Sequence, residues 1–345
     1  MSLSLEMLTA GLALLALTAY AVLAGADFGG GVWDFFARGP RANGQRRAIA
    51  EAMGPVWEAN HVWLIFLLVI LFTGFPVAFS ALSVALFIPF HLLLVGIILR
   101  GAAFVFRAHG SEEAGPQRVW ARAFGSASII TPVLLGMCLG AISAGEIRIS
   151  GSVVQVNYFT AWLTPLSWAC GALALALFAY LAAVYLTLET SGELREDFRQ
   201  RTLISGGVVV AISVLLLPLL VWQAPRLAEN LLSVRALPVL VLGVIFALLS
   251  LWAVLTRRFA IARVTAVAEV IMLLWGWAFA QWPYVIYPDL TLEASAAPDA
   301  TLGFLLATAP IGALLLIPSL WLLFSVFKGR NPEAGEAGKM AGGRR

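Results

Sequence analysis

The sequence has few charged side chains and few of the residues that bind metals or form disulfides. Asp, Glu, Lys and Arg make up 12% of the 345 residues, about half the share typical of soluble domains. A soluble protein of this length needs a charged surface, so the composition argues against one. The three histidines and two cysteines form no pair at metal-ligand spacing, which disfavours a self-contained metal centre. Cys138 and Cys170 lie in apolar segments, where we expect small buried thiols rather than a disulfide.

In place of charge, the chain has a series of long apolar blocks. Hydrophobic residues make up 61% of it, and they fall in stretches of roughly 20, enough for a helix to cross about 30 Å of hydrocarbon. A backbone in lipid must satisfy its own hydrogen bonds, so each block is predicted to be helical. The blocks cover residues 7–36, 56–78, 80–105, 119–142, 160–188, 202–222, 236–255, 260–280 and 303–328. The sequence therefore predicts an all-α integral membrane protein with nine transmembrane helices.

The basic residues predict the orientation of these helices. Of the 22 Lys and Arg residues, all but Arg148, Arg226 and Arg235 fall on one side of the predicted arrangement. The positive-inside rule assigns that side to the cytoplasm, which places the N-terminus outside and the C-terminus inside. The basic composition is thus explained by topology, and we predict no binding of nucleic acid.

The two halves of the chain resemble each other weakly. Helix 1 contains ALLALTAYAVLAGADFGGG, and helix 5 contains LALALFAYLAAVYLTLETSG. A parallel repeat would make residues 1–150 and 151–282 two four-helix units, followed by an outer loop and ninth helix over 283–330. Chance similarity between Ala- and Leu-rich helices is the alternative. Residues 331–345 are rich in Gly and Glu, and we predict a disordered tail.

Ionisable groups within hydrocarbon are costly, so each is a candidate for function. Asp27 lies in GADFGGGVWD, near the predicted inner end of helix 1. Gly29, Gly30 and Gly31 follow it and permit close approach of another helix. A glycine packing face with an interfacial acid is the structural alternative to a functional site.

The second candidate group lies in GPVWEANHVWL. Pro55 is typical of a first helical turn, which would place Glu58 near the positive end of a helix dipole. His61 shares a helix face with Glu58, while Trp57 and Asn60 share the neighbouring face. A carboxylate and an imidazole one turn apart can pass protons inward. The dipole alone is the competing explanation for Glu58.

Helix 3 carries Arg100 near its inner end, at the predicted depth of Asp27 and Glu58. An ion pair with one of these acids would reduce the cost of burying it, although an arginine reaching the interface would also fit. His91 is predicted near the membrane midplane. It is a candidate haem ligand, or a lone neutral histidine packed in the bundle.

Glu269 lies inside helix 8, about 16 Å from its predicted inner end, and no basic residue is near it in sequence. An ionised carboxylate at that depth requires a partner. Glu269 is therefore expected to be protonated, hydrogen-bonded or facing water. A role in a proton relay and a single helix–helix hydrogen bond are both open.

Several segments together resemble subunit II of the cytochrome bd-type quinol oxidases. They are GADFGGGVWD, GPVWEANHVWL, FPVAFSA, LRGAAFVFR and AQWPYVIYPDLTLEASA, and they span essentially the whole chain. The resemblance implies a subunit of two four-helix bundles plus one helix in the bacterial inner membrane. It also implies an oxidase that oxidises quinol, reduces oxygen to water and draws the protons from the cytoplasm. In that family haem b558, haem b595 and haem d are bound by subunit I, so no metal or catalytic residue is predicted here.

The resemblance carries over to individual residues. Asp27 matches the acid of the helix 1 motif, and Arg100 matches the arginine near the end of helix 3. Glu58 stands where relatives carry aspartate, and His61 where some carry glutamine, which leaves the detailed proton path open. Glu269 falls outside any matching motif, and it remains a proton-path candidate with Asp27, Glu58 and His61.

The implied partners are subunit I, quinol and oxygen, the lipid bilayer, a small accessory subunit and a structural quinone. A proton-coupled secondary transporter, with Glu269 and Asp27 carrying protons, is the alternative function. A partner that only supports assembly is a third.

Overall fold

The computed structural model describes residues 4–109, 114–151 and 153–328, without the side chains of 53–58, 108–109, 114–116, 323–324 and 326–328. The helices are α1 (Leu5–Phe35), α2 (Ala42–Gly74), α3 (Pro76–Ala85), α4 (Phe87–His109), α5 (Ala114–Ala144), α6 (Pro165–Glu189), α7 (Gly192–Gln223), α8 (Pro225–Leu231), α9 (Leu237–Leu255), α10 (Phe259–Gln281), α11 (Leu292–Ser295) and α12 (Asp299–Lys328). The strands are β1 (Arg148–Ser150), β2 (Val153–Gln155), β3 (Tyr284–Ile286) and β4 (Leu290–Thr291).

Most of the chain lies in helices that fit the thickness of a bilayer. Within the described residues, eight helices are long and apolar enough to cross a membrane. The second half of α2 and the short α3 meet at an angle of 115°, and counting this bent pair as one span gives nine. The prediction of a multi-pass helical membrane protein is confirmed.

The bend between α2 and α3 differs from the prediction of one block over 56–78. Pro76 has no backbone N–H to continue a helix, and it disfavours helical angles at the residue before it. Phe75 accordingly adopts φ −134° and ψ 59°. The block predicted over 80–105 is also divided, because α4 begins at Phe87. His91 therefore lies in the first turns of α4, and its place near the midplane stays a prediction.

Two helices begin earlier than predicted, with polar first turns. α2 starts at Ala42 rather than residue 56, and α7 starts at Gly192 rather than residue 202. Pro55 is therefore inside α2, so the dipole explanation for Glu58 is wrong. Their first turns are rich in Arg, Gln and Glu, and they extend each helix beyond its apolar segment.

Two short antiparallel hairpins, β1–β2 and β3–β4, interrupt the otherwise helical fold. The first lies between α5 and α6 and the second follows α10. They are tied together by Asp289, whose Oδ2 accepts hydrogen bonds from Arg148 Nε and from the backbone N–H of Ile149, each at 2.8 Å. The Arg148 guanidinium holds the pKa of the Asp289 carboxyl below its ordinary value. The purely helical prediction missed both hairpins.

The same order of helices occurs in both halves. A long α2 is followed by Pro76 and the short α3, and a long α7 is followed by Pro225 and the short α8. The linking residues have nearly the same backbone, since Ala224 adopts φ −138° and ψ 58° beside the similar angles of Phe75. The first helices of the two halves, α1 and α6, pack against each other.

Candidate functional site

Asp27 and Arg100 form a buried ion pair between α1 and α4. Arg100 Nη1 donates to Asp27 Oδ2 and Arg100 Nη2 donates to Asp27 Oδ1, each at 2.8 Å. Nη2 also donates to the Asp27 backbone carbonyl at 3.0 Å. The residues are 1% and 2% exposed, so neither charge reaches solvent within this chain. A bidentate pair of this kind compensates two charges that would otherwise be costly to bury.

Neighbouring helices complete the surroundings of this pair. Asn60 of α2 donates from Nδ2 to Asp27 Oδ2 at 2.9 Å. Arg100 Nε donates to Ser128 Oγ of α5 at 3.0 Å, and Ser128 in turn donates to the carbonyl of Phe124. The guanidinium lies 4.8 Å from the ring centre of Phe28 and 4.7 Å from that of Phe124. Side chains from four helices thus surround one ion pair, and both carboxylate oxygens of Asp27 accept hydrogen bonds.

A second ion pair repeats the first one two turns along the same helices. Arg107 donates from Nη1 and Nη2 to the two carboxylate oxygens of Asp34, at 3.0 and 3.1 Å. Asp34 follows Asp27 by seven residues, and Arg107 follows Arg100 by seven. The equal offset means that α1 and α4 run parallel. Phe124 lies under both guanidiniums, since its ring centre is 5.0 Å from that of Arg107.

The glycines of the helix 1 motif let other helices reach this site. A methyl group on Gly29 would overlap the backbone carbonyl of Phe178 in α6. A methyl group on Gly31 would overlap the hydroxyl of Ser128 in α5. Glycine at position 29 thus permits the close approach of α6, and glycine at position 31 permits the approach of α5 that brings Ser128 to Arg100.

A polar network links the first turns of α2 to those of α7. Arg41 donates to both carboxylate oxygens of Asp197, at 2.8 and 2.6 Å. Gln45 donates to Asp197 Oδ2 at 2.8 Å and accepts from Arg201 Nη2 at 2.6 Å. The Arg201 guanidinium stacks over Trp33 of α1, whose indole N–H donates to the carbonyl of Ala179 in α6. The network joins the corresponding helices of both halves.

The remaining candidates on α2 and α4 have mixed outcomes. The side chains of Trp57 and Glu58 lie outside the described residues. His61 is partly buried and close enough to Asp27 for their charges to interact. His91 is exposed at the side of α4, its Nδ1 lies 2.7 Å from the carbonyl oxygen of Phe87, and its ring packs against the Phe87 ring at a tilt of 41°.

Glu269 lies apart from the Asp27 cluster, in the second half of the chain. It is 6% exposed, and its Oε2 has no hydrogen-bond partner among the described residues. Its neighbours on α10, Ala266 and Val270, pack in an apolar cluster with Tyr180 of α6. The Tyr180 hydroxyl hydrogen-bonds to Ser250 Oγ of α9 at 2.5 Å and interacts electrostatically with Glu269. The structure therefore does not bring Glu269 together with Asp27.

Asp34 and Arg107 are the members of this site that sequence reasoning missed. Arg107 entered the prediction only as one of the basic residues that set the orientation, and Asp34 was not singled out. The spacing that would have revealed them is the interval of seven residues shared by the two acids and the two arginines. Among the described residues, no group of three or more His, Cys, Asp or Glu side chains is placed to hold a metal ion.

The family model for cytochrome bd terminal oxidase subunit II matches residues 5–327. The chain belongs to this family. Membership makes it a membrane component of a respiratory oxidoreductase complex that contains haems, with a subunit I partner.

Individual relatives agree with this assignment. The chain is 22% identical to the putative cytochrome bd menaquinol oxidase subunit II of Bacillus subtilis, over 89% of this chain and 91% of that one. It is 26% identical to the cytochrome bd-I ubiquinol oxidase subunit 2 of Escherichia coli, over 52% of this chain and 47% of the relative. A solved bd oxidase from Geobacillus thermodenitrificans has a chain of the same fold, with a TM-score of 0.80, 24% identity and coverage of 95% and 99% of the two chains.

Proposed function

We propose that this chain is the haem-free subunit II of an oxidase that oxidises quinol and reduces oxygen to water. The observation that carries the proposal is the family match over residues 5–327. The haems would be held by subunit I in the bacterial inner membrane. This family membership favours the oxidase over the proton-coupled transporter that the buried acids also suggested.

The proposal includes the nine-span topology, with the N-terminus outside, the C-terminus in the cytoplasm and two four-helix bundles. Support comes from the bent pair of α2 and α3, which raises the number of candidate spans to nine among the described residues. The matching order of helices in the two halves supports the two bundles. An accessory subunit and a structural quinone remain predictions.

The first test is purification of the tagged chain from its native membrane. Co-purification of a larger subunit, with reduced-minus-oxidised absorption bands of b and d haems, is the expected result. A colourless monomer that exchanges protons for a solute in vesicles would contradict the proposal and favour the transporter.

We further propose that Asp27, Glu58 and His61 help admit protons from the cytoplasm toward subunit I. Both oxygens of Asp27 accept hydrogen bonds from Arg100 or Asn60, so a proton arriving there would displace one of them. Asp27 is therefore suited to hold the local charge, while Glu58 and His61 on α2 move the proton. The buried Oδ1 of Asn60 has no partner among the described residues and offers an acceptor for a water molecule.

The test of this path is Glu58→Gln in the assembled complex. We expect oxygen consumption to fall about 100-fold, the lower end of what positioned proton transfer contributes, while haem content stays normal. Glu51→Gln is the matched control, because Glu51 lies on the same helix but is exposed and paired with Arg47. Normal turnover of the Glu58 variant would overturn the path, and loss of haem would show that Glu58 is structural.

A further inference from the structure

A cavity of about 530 Å³ opens where the first turns of α2 and α5 meet the last turns of α4. Its described lining contains four arginines and no carboxylate, namely Asn43, Arg46, Arg107, Gln117, Arg118, Ala121 and Arg122. We call it the arginine pocket. It lies at the same end of the bundle as the Asp34–Arg107 pair and does not include Asp27 or Arg100.

Three of the four arginines carry charge that no described carboxylate balances. Arg107 is paired with Asp34. Arg46 donates from Nη2 to the carbonyl of Ala37 at 3.0 Å, which is a neutral acceptor. Arg118 and Arg122 are exposed, and neither has a described carboxylate within the 4.0 Å of an ion pair. Among the residues that the structure describes, the pocket therefore has a net positive charge and guanidinium donors without a carboxylate partner, a combination that suits a phosphate group.

An apolar ledge, formed by Phe106, Val119 and Trp120, directly neighbours Arg107 and Arg118 of the pocket in sequence. Phe106 of α4 stacks on Trp120 of α5, with ring centres 4.6 Å apart. Phe106 is 50% exposed, and Val119 beside Trp120 is 62% exposed. Tryptophan at the boundary between apolar and polar segments is typical of the level of lipid headgroups. A soluble anion would make no use of this ledge, whereas the acyl chains of a lipid would cover it.

We propose that the arginine pocket binds the phosphate of an anionic phospholipid, whose acyl chains lie against Phe106, Trp120 and Val119. Basic pockets between transmembrane helices are known recognition sites for such headgroups. The bound lipid would join α2, α4 and α5 near the polar end of the Asp27 cluster. The site is separate from the oxidase activity proposed above, and it would exist in either functional class.

The test measures lipid binding by the full chain, purified with the subunits that accompany it and then delipidated. Native mass spectrometry counts bound phosphatidylglycerol, phosphatidylcholine serves as the zwitterionic probe, and inorganic phosphate serves as the soluble competitor. We expect phosphatidylglycerol to be retained in preference to phosphatidylcholine, and phosphate at the same concentration not to displace it. Equal retention of the two lipids, or displacement by phosphate alone, would overturn the proposal.

The decisive variant is the double substitution Arg118→Gln with Arg122→Gln. Affinity for phosphatidylglycerol should fall about 30-fold, given the contribution of each basic residue near an anionic headgroup. Arg38→Gln with Arg258→Gln is the control, since it removes the same charge from exposed positions outside the pocket and should leave affinity unchanged. If the double variant does not fold, Arg122→Gln alone should weaken binding about fivefold. Unchanged affinity in whichever variant folds would overturn the assignment.

Discussion

Asp27 and Glu269 are both buried acids within membrane-spanning helices, yet their surroundings are opposite. Both oxygens of Asp27 accept hydrogen bonds, from an arginine and an amide. Glu269 is as deeply enclosed, but one of its oxygens has no partner among the described residues. A charge is stable at the first position because its counter-charge is fixed there, whereas an ionised carboxylate at the second would be uncompensated. Burial alone therefore does not tell which acid is charged.

The largest expected effect comes from breaking the pair of the first half. Arg100→Gln leaves the Asp27 carboxylate buried without its counter-charge, which should lower the free energy of unfolding by about 3–5 kcal/mol. The measurement is the unfolding of the purified complex in mixed micelles. The double variant Asp27→Asn with Arg100→Gln should lose clearly less, because no charge is stranded. Equal losses in the single and double variants would mean that the ion pair contributes little.

The next prediction tests the close packing of α1, which carries Asp27, against α6 of the second half. Gly29→Ala places a methyl group against the carbonyl of Phe178, so α1 and α6 must separate. Overpacking of this kind should cost about 1–3 kcal/mol. Gly312→Ala is the control, since nothing lies within 4 Å of an added Cβ there. Equal stability of the two variants would contradict the close crossing of α1 and α6.

The next prediction concerns Glu269→Gln, which tests whether the buried acid of the second half is neutral. A neutral carboxylic acid and a neutral amide have nearly the same shape, so we expect a stability change below about 1 kcal/mol. Asp27→Asn is the matched variant in the first half, and it should cost more because it strands Arg100. Thermal unfolding of both variants in the same detergent is the measurement. A larger loss at Glu269 than at Asp27 would mean that Glu269 is ionised and paired.

The smallest effect concerns the Arg148–Asp289 pair, which has the same chemistry as the Asp27–Arg100 pair but lies outside the membrane-spanning helices. Arg148 is well exposed, and exposed pairs contribute little to stability. Because the pKa of Asp289 is below its ordinary value, the contribution of the pair is complete above the unfolded value of about 3.9. This contribution is lost as the pH falls further, through the lower pKa that Asp289 has in the folded state.

Local hydrogen exchange of the two hairpins is the sensitive measurement for this pair. Arg148→Gln should speed exchange there at pH 7 without shifting the unfolding temperature of the complex. In strong acid the variant and the parent should exchange at similar rates. A difference that grows in acid would contradict the role given to Asp289.

Apolar block length was sufficient to predict most spanning helices, because the bilayer imposes one length on each of them. The break at Pro76 was missed because its effect is local while the surrounding segment stays apolar. The starts of α2 and α7 were missed for the opposite reason, since helical backbone continues through polar turns that leave the hydrocarbon.

The sequence was sufficient to predict the depth of Asp27 and Arg100 along their helices, but not which side chains they contact. Placing Arg100 at the level of Asp27 followed from counting residues along two helices. Choosing Asp27 rather than Glu58 as its partner required knowing which helices are adjacent. The surroundings of Glu269 likewise depend on Tyr180 of α6, which lies far from it in sequence.

The two ion pairs between α1 and α4 also constrain how the chain can change in length. Insertions or deletions in the segments joining the two helices would leave both pairs intact. One residue inserted between Asp27 and Asp34 would instead rotate the second acid by about 100° around its helix, away from Arg107. A matching insertion between Arg100 and Arg107 would not restore the pair, because it would rotate Arg107 in the same sense about a parallel axis and the two side chains would point away from each other. We therefore expect each of these two seven-residue intervals to keep its length in any functional variant of this chain.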